Sequence, residues 1–331
     1  MTRRIFLLVG PTATGKSTLA MRIADTLPVT LISADSVQVY RGLDVGSAKP
    51  SADDRIRVPH RALDLHDPGT ECSVADWMEA ADEAIEEAGR EGRVPLVVGG
   101  TGFYVRTLIR GLPGVPAPPE ALREEIRTQW SERPAEDAHA FLGAIDPTLA
   151  AQLAPADRMR VWRGIEVWAH TGRPLSAWQA EQRDRPDRYR YAALALGGGR
   201  GPLRRRVQMR TEAMLARGWV EEVRGLLDRG VSPRSMALQA IGYRQVVQHL
   251  QGDMPQEALR DAIVQVTRDY VRRQLIWFRH QLPEVRWWDW RDAEADPAAF
   301  ALALADWWKQ ETPWTFGLPN EPPEAPARGR R

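Results

Sequence analysis

Gly10, Gly15, Lys16 and Ser17 stand in the order G-x-x-x-x-G-K-S within GPTATGKS. An apolar run, Ile5 to Val9, comes before them, and a helical pattern runs on from about Lys16 to Leu27. In that context the motif is specific for phosphate. Its glycines let the backbone curl so that N–H groups point inward at phosphate oxygens. The following helix N-terminus adds partial positive charge. Lys16 supplies a full charge, and the Ser17 hydroxyl is a ligand for Mg²⁺. A chance match in an ordinary turn is the competing reading, and the flanks weigh against it.

A nucleotide and another diphosphate both fit such a loop. A kinase or ATPase would go on to show carboxylates for Mg²⁺ and water, and often an Arg-rich lid. This chain continues instead with LISADSVQVYRGLDVGSAKP. Asp35 closes the second apolar run, on the same edge as the loop. That place suits a general base facing the ligand; a helix cap or a carboxylate holding a water of Mg²⁺ is the competing reading. Ser36 and Gln38 add hydrogen-bonding groups of the kind that read a base edge.

The elements that must position these groups alternate. IFLLVG, VTLISADS and RVPLVVGG read as strands, and Cys72 to Arg90 has helical periodicity with Val74, Trp77, Met78, Ala81 and Ile85 on one face. Alternation predicts an α/β fold, a P-loop NTPase-like parallel sheet flanked by helices, with the ligand at the strands' carboxyl ends. The Pro-rich GLPGVPAPPE (111–120) breaks the pattern. Helices follow until the strand RYAALALGG at 190–198. The expectation is a discontinuous core, 1–115 and 191–311, with an inserted all-helical domain at 116–190. C-terminal helices are expected to about Gln310, with a short strand at 285–290 and a disordered tail at 312–331.

Composition narrows the partners. The net charge is only +1, yet Glu71–Glu91 holds eight acidic residues against one Arg, and Arg200–Arg224 holds seven Arg against three Glu. Arg268–Arg286 adds five Arg against two acids. A polyanion would prefer these later segments. Only Lys16, Lys49 and Lys309 are lysines. A skew that strong can arise from genome composition, so the position of the arginines carries more weight than their number. Cys72 is the one cysteine, which excludes an internal disulfide and fits a cytoplasmic protein. No apolar run is long enough to span a bilayer, and the His residues show no metal-ligand spacing.

Taken in order, GPTATGKS, ISADSVQVYRGLDVGSAKP, PHRALDL and VVGGTGFYVRTL resemble the tRNA dimethylallyltransferase (tRNA isopentenyltransferase) family. RMRVWRGIEVWAHTGRPLS, MLARGWVEEVRGLL, AIGYRQV and RRQLIWFR extend the resemblance over about residues 4–290. It implies that the loop holds the diphosphate of dimethylallyl diphosphate, against Gly10, Pro11, Thr12, Ala13, Thr14, Gly15, Lys16 and Ser17. It further implies transfer of the dimethylallyl group to N6 of the adenosine 3′-adjacent to the anticodon, in tRNAs reading codons that begin with U.

Asp35, Thr101 and Arg210 match the family's catalytic positions. Asp35, Ser36, Val37, Gln38, Thr101, Arg123, Met159, Arg160, Val161, Trp162 and Arg163 match positions that meet the tRNA anticodon stem-loop. For Trp162 a core role competes with stacking on a base, and for Arg210 a solvated charge stripe with Arg206 and Arg217 competes with a catalytic role. Trp277 and Phe278 are expected in the core. The cofactor implied is Mg²⁺ on Ser17. A monomer is expected, of the bacterial form, since no Cys pair for a zinc finger follows the core. A small-molecule kinase and an RNA-binding ATPase are the alternatives that the loop and the Arg segments would support without the other motifs.

Overall fold

A computed structural model describes residues 4–282, 284–296, 298, 301, 302 and 304. The expected tail at 312–331 lies outside them. The described residues form two compact units, one built from the segments up to Leu108 and from Tyr189 onward, the other Ile109–Arg188.

The first unit is centred on one six-stranded sheet. Its strands are β1 (Arg4–Val9), β2 (Val29–Ala34), β3 (His60–Arg61), β4 (Val94–Gly99), β5 (Arg190–Gly197) and β6 (Arg286–Asp289). Their order is β3-β2-β4-β1-β5-β6, and every pairing is parallel. Ile5 to Val9 are wholly buried because β1 lies mid-sheet, covered on both faces. β6 falls within the short strand expected at 285–290. The two-residue β3 carries too little pattern to be found from sequence.

Around the sheet run α1 (Lys16–Ala24), α2 (Ala52–Arg57), α3 (Val74–Arg90) and α4 (Gly102–Arg110). The second unit holds α5 (Glu120–Ser131), α6 (Ala135–Ile145), α7 (Pro147–Ala150), α8 (Arg158–Thr171) and α9 (Leu175–Arg183). After β5 come α10 (Arg200–Ala216), α11 (Trp219–Asp228), α12 (Tyr243–Leu250), α13 (Gln256–Gln281) and α14 (Trp290–Ala295). None of these helices is long and apolar enough to cross a membrane.

α1 stops three residues short of the expected Leu27. The Thr26 and Leu27 amides both close on the Ile23 carbonyl, and Pro28 cannot continue a helix. α3 starts on a reciprocal capping box between Ser73 and Asp76. It buries Trp77, Ala81, Ala84, Ile85 and Ala88, while Val74 and Met78 are only half-buried. The Trp77 indole donates to the Ser33 carbonyl at 2.7 Å, which pins β2 just before Asp35.

The segment after Asp35 is held from the far side by α11. The Glu222 carboxylate accepts from the backbone amides of Asp44, Val45 and Gly46 at 2.8, 2.6 and 3.2 Å, and from the Tyr243 hydroxyl at 2.7 Å. Lys49 is buried and pairs with Asp44 and Asp64 at 2.6 and 2.7 Å. These contacts account for the residue types in LDVGSAKP and GWVEEV.

The second unit has its own core of Ile126, Trp130, Leu142, Leu149, Val161 and Ile165. Gly164 lets α8 approach closely, since a Cβ there would lie 2.7 Å from Leu142 Cδ1.

Candidate functional site

The loop Gly10–Ser17 leaves the carboxyl end of β1. Gly10 has φ +128°, and a Cβ there would meet the Leu196 carbonyl oxygen of β5 at 2.4 Å, so only glycine fits. Gly15 lies in the left-handed region at φ 85°, and so does Ala13 at φ 67°. A non-glycine residue held there is backbone strain of the kind that gathers at ligand clamps. Thr14 is fully buried and its hydroxyl donates to the Pro11 carbonyl at 2.9 Å. Lys16 Nζ donates to the same carbonyl at 2.6 Å. Thr14 therefore braces the loop from within. Ser17 is exposed on the first turn of α1, and its hydroxyl makes no hydrogen bond among the described residues.

Asp35 follows β2, the strand two places from β1 in the sheet. Its Oδ1 accepts from the Val37 amide at 2.8 Å and the Gln38 amide at 3.4 Å, which fixes the carboxylate on its own turn. Its Oδ2 takes no hydrogen bond among the described residues. Thr101, after β4, accepts the Ser36 amide on its hydroxyl oxygen at 3.1 Å. Rather than capping α4, that hydroxyl joins the two polar turns. Ser36 is exposed. The Gln38 amide is spent internally, bonding Ser33 Oγ at 2.8 Å and the Ser47 carbonyl at 3.1 Å. Gln38 thus shapes the turn, and Ser36 is the group facing outward.

Positive charge exceeds negative at this edge. The Lys16 ammonium is brought down to about 7 by burial first and by the Arg210 charge next, against the pull of Asp35. Burial likewise lowers Arg210, again opposed by Asp35, with Arg206 adding repulsion. Arg206 stacks over the Trp290 ring at 4.3 Å. Lys16 and Arg210 thus share one carboxylate, an imbalance that a bound polyanion would relieve. Arg217, third on the expected stripe, ends α10 as its C-cap.

Two residues escaped the sequence reading. Gln274 of α13 is buried. Its Oε1 accepts from the Thr12 amide at 3.0 Å and its Nε2 donates to the Gly100 carbonyl at 2.8 Å. Tyr270, one turn earlier, is pushed up to about 12 by burial and the Asp35 charge, while hydrogen bonds with Thr101 and Gln274 act the other way. A signal for Gln274 was present. It stands at a core position of the helical period, between buried Val271 and Phe278. Phe278 is in the core as expected, and Trp277 packs where a Cβ on Gly102 would sit. Residues 239–245, which include GYRQ, line one cavity with α13 through Gln239, Ile241, Arg244, Gln245, Asp269 and Arg273.

The remaining expected residues belong to the second unit. Arg123, Arg160 and Arg163 each pair with an acid three residues away, Glu120, Asp157 and Glu166 respectively. The Arg123 and Arg160 pairs are exposed, and such pairs are weak and readily exchanged for phosphate, whereas Glu166 is largely covered. Met159 is 66% exposed, Val161 is fully buried, and Trp162 packs against the unit's core. Within Met159–Arg163 the solvent-facing chemistry is therefore that of Met159, Arg160 and Arg163.

The His residues show no metal-ligand spacing in sequence, yet the fold brings one of them beside two other ligand-type groups. The ligand atoms of His66, Cys72 and Asp76 lie within 4.8 Å of one another. An ion pair of His66 with Asp76 at 3.5 Å and the capping box of α3 already engage two of them. Burial, then the Asp76 charge, push the Cys72 thiol up to about 11.

A family model described as IPP transferase matches residues 38–281, and one described as Isopentenyl transferase matches residues 3–62. The chain is 42% identical over 284 residues to the tRNA dimethylallyltransferase of Geobacter metallireducens, covering 86% of this chain and 92% of that protein. It is 43% identical over 278 residues to that of Sorangium cellulosum, covering 84% and 88%. Among solved structures, the full-length tRNA isopentenylpyrophosphate transferase of Bacillus halodurans is similar with a TM-score of 0.67 and 32% identity, covering 92% of this chain and 96% of that one. A eukaryotic dimethylallyltransferase acting on tRNA is similar with a TM-score of 0.80 and 25% identity, covering 93% and 81%.

Proposed function

This chain belongs to the IPP transferase family, the tRNA dimethylallyltransferases, and from that premise we propose that it moves a dimethylallyl group from dimethylallyl diphosphate to N6 of the adenosine 3′-adjacent to the anticodon. The acceptors are cytoplasmic tRNAs that read codons beginning with U. The observation that carries this reading is Asp35, its Oδ1 fixed on the turn, at the same sheet edge as Lys16 and Arg210.

The chemistry rests on those groups. N6 attacks the allylic carbon, the C–O bond breaks, and diphosphate leaves with the electron pair. The N6 lone pair is delocalised into the adenine ring, so attack needs a base. Asp35 takes the N6 proton as the bond forms, a contribution of about 10²–10⁴-fold. Loop amides, Lys16 and Arg210 stabilise the charge growing on the leaving diphosphate. Mg²⁺ fits the loop, because the unengaged Ser17 hydroxyl and diphosphate oxygens make the hard oxygen set that this ion prefers. When bound it supplies further charge against the leaving group. The target base must leave its stack to reach Asp35. Thr101 and Ser36 border its path.

The donor assignment is tested by ligand competition in a thermal melt. With Mg²⁺ present, pyrophosphate and dimethylallyl diphosphate are expected to raise the melting temperature more than ATP at equal concentration. Greater stabilisation by ATP would turn the reading toward a kinase.

The unit Ile109–Arg188 is assigned the tRNA grip through Arg123, Arg160 and Arg163. Each phosphate contact releases counterions, so replacing one Arg with Ala should flatten log affinity against log salt by about 0.7–0.9. Donor affinity should not change. Trp162→Ala is the uncharged contrast: its loss should lower the melting temperature and leave the salt slope as it was. Unchanged slopes in all three Arg variants would remove the grip from these residues.

A further inference from the structure

We infer that Gln274 is a positioning residue that sets the diphosphate loop for its ligand and ties that loop to the acceptor side of the site. It rests on the proposed donor only for the ligand's prenyl half. The placement of the amide is unusual for a helix interior. Gln274 is 5% exposed on a helix face whose neighbours are Val271 and Phe278. Burying an amide there is costly unless both of its ends are satisfied. Both are, and by two different loops: Oε1 takes the Thr12 amide and Nε2 gives to the Gly100 carbonyl.

Each end falls at a decisive place. Thr12 is in the middle of the phosphate loop, one residue before Ala13 with its positive φ. Fixing the Thr12 N–H holds the Pro11–Thr12 peptide, one peptide before that strained residue. The curl that aims the later amides at phosphate is thereby held before a ligand arrives. At the other end, Gly100 precedes Thr101, whose hydroxyl holds the Ser36 amide. The approach is so close that a Cβ on Gly100 would lie 2.4 Å from Gln274 Nε2. Tyr270 on the same helix lies beside Thr101 and Gln274, close enough for both to act on its hydroxyl. One planar side chain, locked on a packed helix, thus spans the turn that meets the diphosphate and the turn that meets the base. Preorganisation of this kind improves affinity by sparing the ordering cost at binding.

The test compares the full-length protein with Gln274→Leu, which keeps the side chain's bulk and removes both bonds. Pyrophosphate affinity with Mg²⁺ is read by calorimetry, tRNA affinity by filter binding, and folding by a melt. A positioning role predicts pyrophosphate binding weaker by about tenfold and a matching rise in donor KM, with tRNA affinity within about twofold. A merely structural role predicts losses for both ligands in step with the melting temperature, and that result would overturn the proposal. So would pyrophosphate affinity within about twofold of the parent in a folded Gln274→Leu protein. Should that variant not fold, Gln274→Asn, one methylene shorter with the amide retained, carries the same comparison. If the parent binds pyrophosphate yet transfers no prenyl group, the donor reading falls while the Gln274 comparison stands.

Discussion

Asp35→Ala slows single-turnover prenyl transfer by about 10²-fold or more, while tRNA affinity stays within a few-fold of the parent. The expectation rests on how the carboxylate is held. Oδ1 is committed to the amides of Val37 and Gln38, so the side chain cannot swing away. The carboxylate also lies within the fields of Lys16 and Arg210, the two cations at this edge of the sheet. Removing it leaves the diphosphate loop and the Arg side chains of Ile109–Arg188 in place, so binding survives and the chemical step suffers. Asp35→Asn separates geometry from basicity. Its amide oxygen can still accept the two backbone N–H groups, but it cannot take a proton. Comparable losses in the Ala and Asn variants identify basicity as the lost property. Single-turnover rates within a few-fold of the parent in either variant would take the base assignment away from Asp35.

Lys16→Ala is expected to weaken donor binding and to lower kcat together, because the ammonium meets charge that is present in the donor and grows on the leaving group. Its pH dependence is the sharper test. Burial, and then the Arg210 charge, bring the Lys16 ammonium down to about 7. A bound diphosphate raises that value. A group whose pKa rises on binding gives its full contribution below the free-site value and loses it as pH rises through the bound-site value. Donor affinity in the parent should therefore be greatest below about pH 7 and fall as pH increases from there. Diphosphate titrates too, and Lys16→Ala serves as the control for it. The variant should retain the ligand's own pH dependence and lack the additional fall. Parallel affinity–pH curves for parent and variant would contradict the role given to Lys16.

The sheet was legible because parallel strands buried on both faces leave unbroken apolar runs, as IFLLV and LALG do. The phosphate loop was legible because glycine, Lys and Ser at fixed spacing have few other uses. α3 was legible from its period, although Ala84 and Ala88 replaced Val74 and Met78 on the buried face. What escaped notice depends on tertiary contact. β3 is two residues long and exists only because β2 offers it an edge. The link that the Thr101 hydroxyl makes between two turns depends on Ser36, 65 residues away in the chain. Gln274 reads as one more polar residue in an Arg-rich helix until the Thr12 amide, 262 residues distant, is placed against it. Gln38, a group suited to a base edge by type alone, is turned inward by Ser33 and the Ser47 carbonyl. In each case residue type was informative, and the partner was set by packing that spacing does not encode.

On the proposed function, the loop and Asp35 together transfer a dimethylallyl group to one adenosine N6. Unmodified tRNA that reads a codon beginning with U is incubated with the protein, dimethylallyl diphosphate and Mg²⁺, then digested, and its nucleosides and fragments are weighed by mass spectrometry. The expected product is adenosine carrying one dimethylallyl group, confined to the fragment that contains the position 3′ of the anticodon, with an equal amount of diphosphate released. Only unmodified adenosine from folded, tRNA-bound protein, or a prenyl group on a different nucleotide, would contradict it.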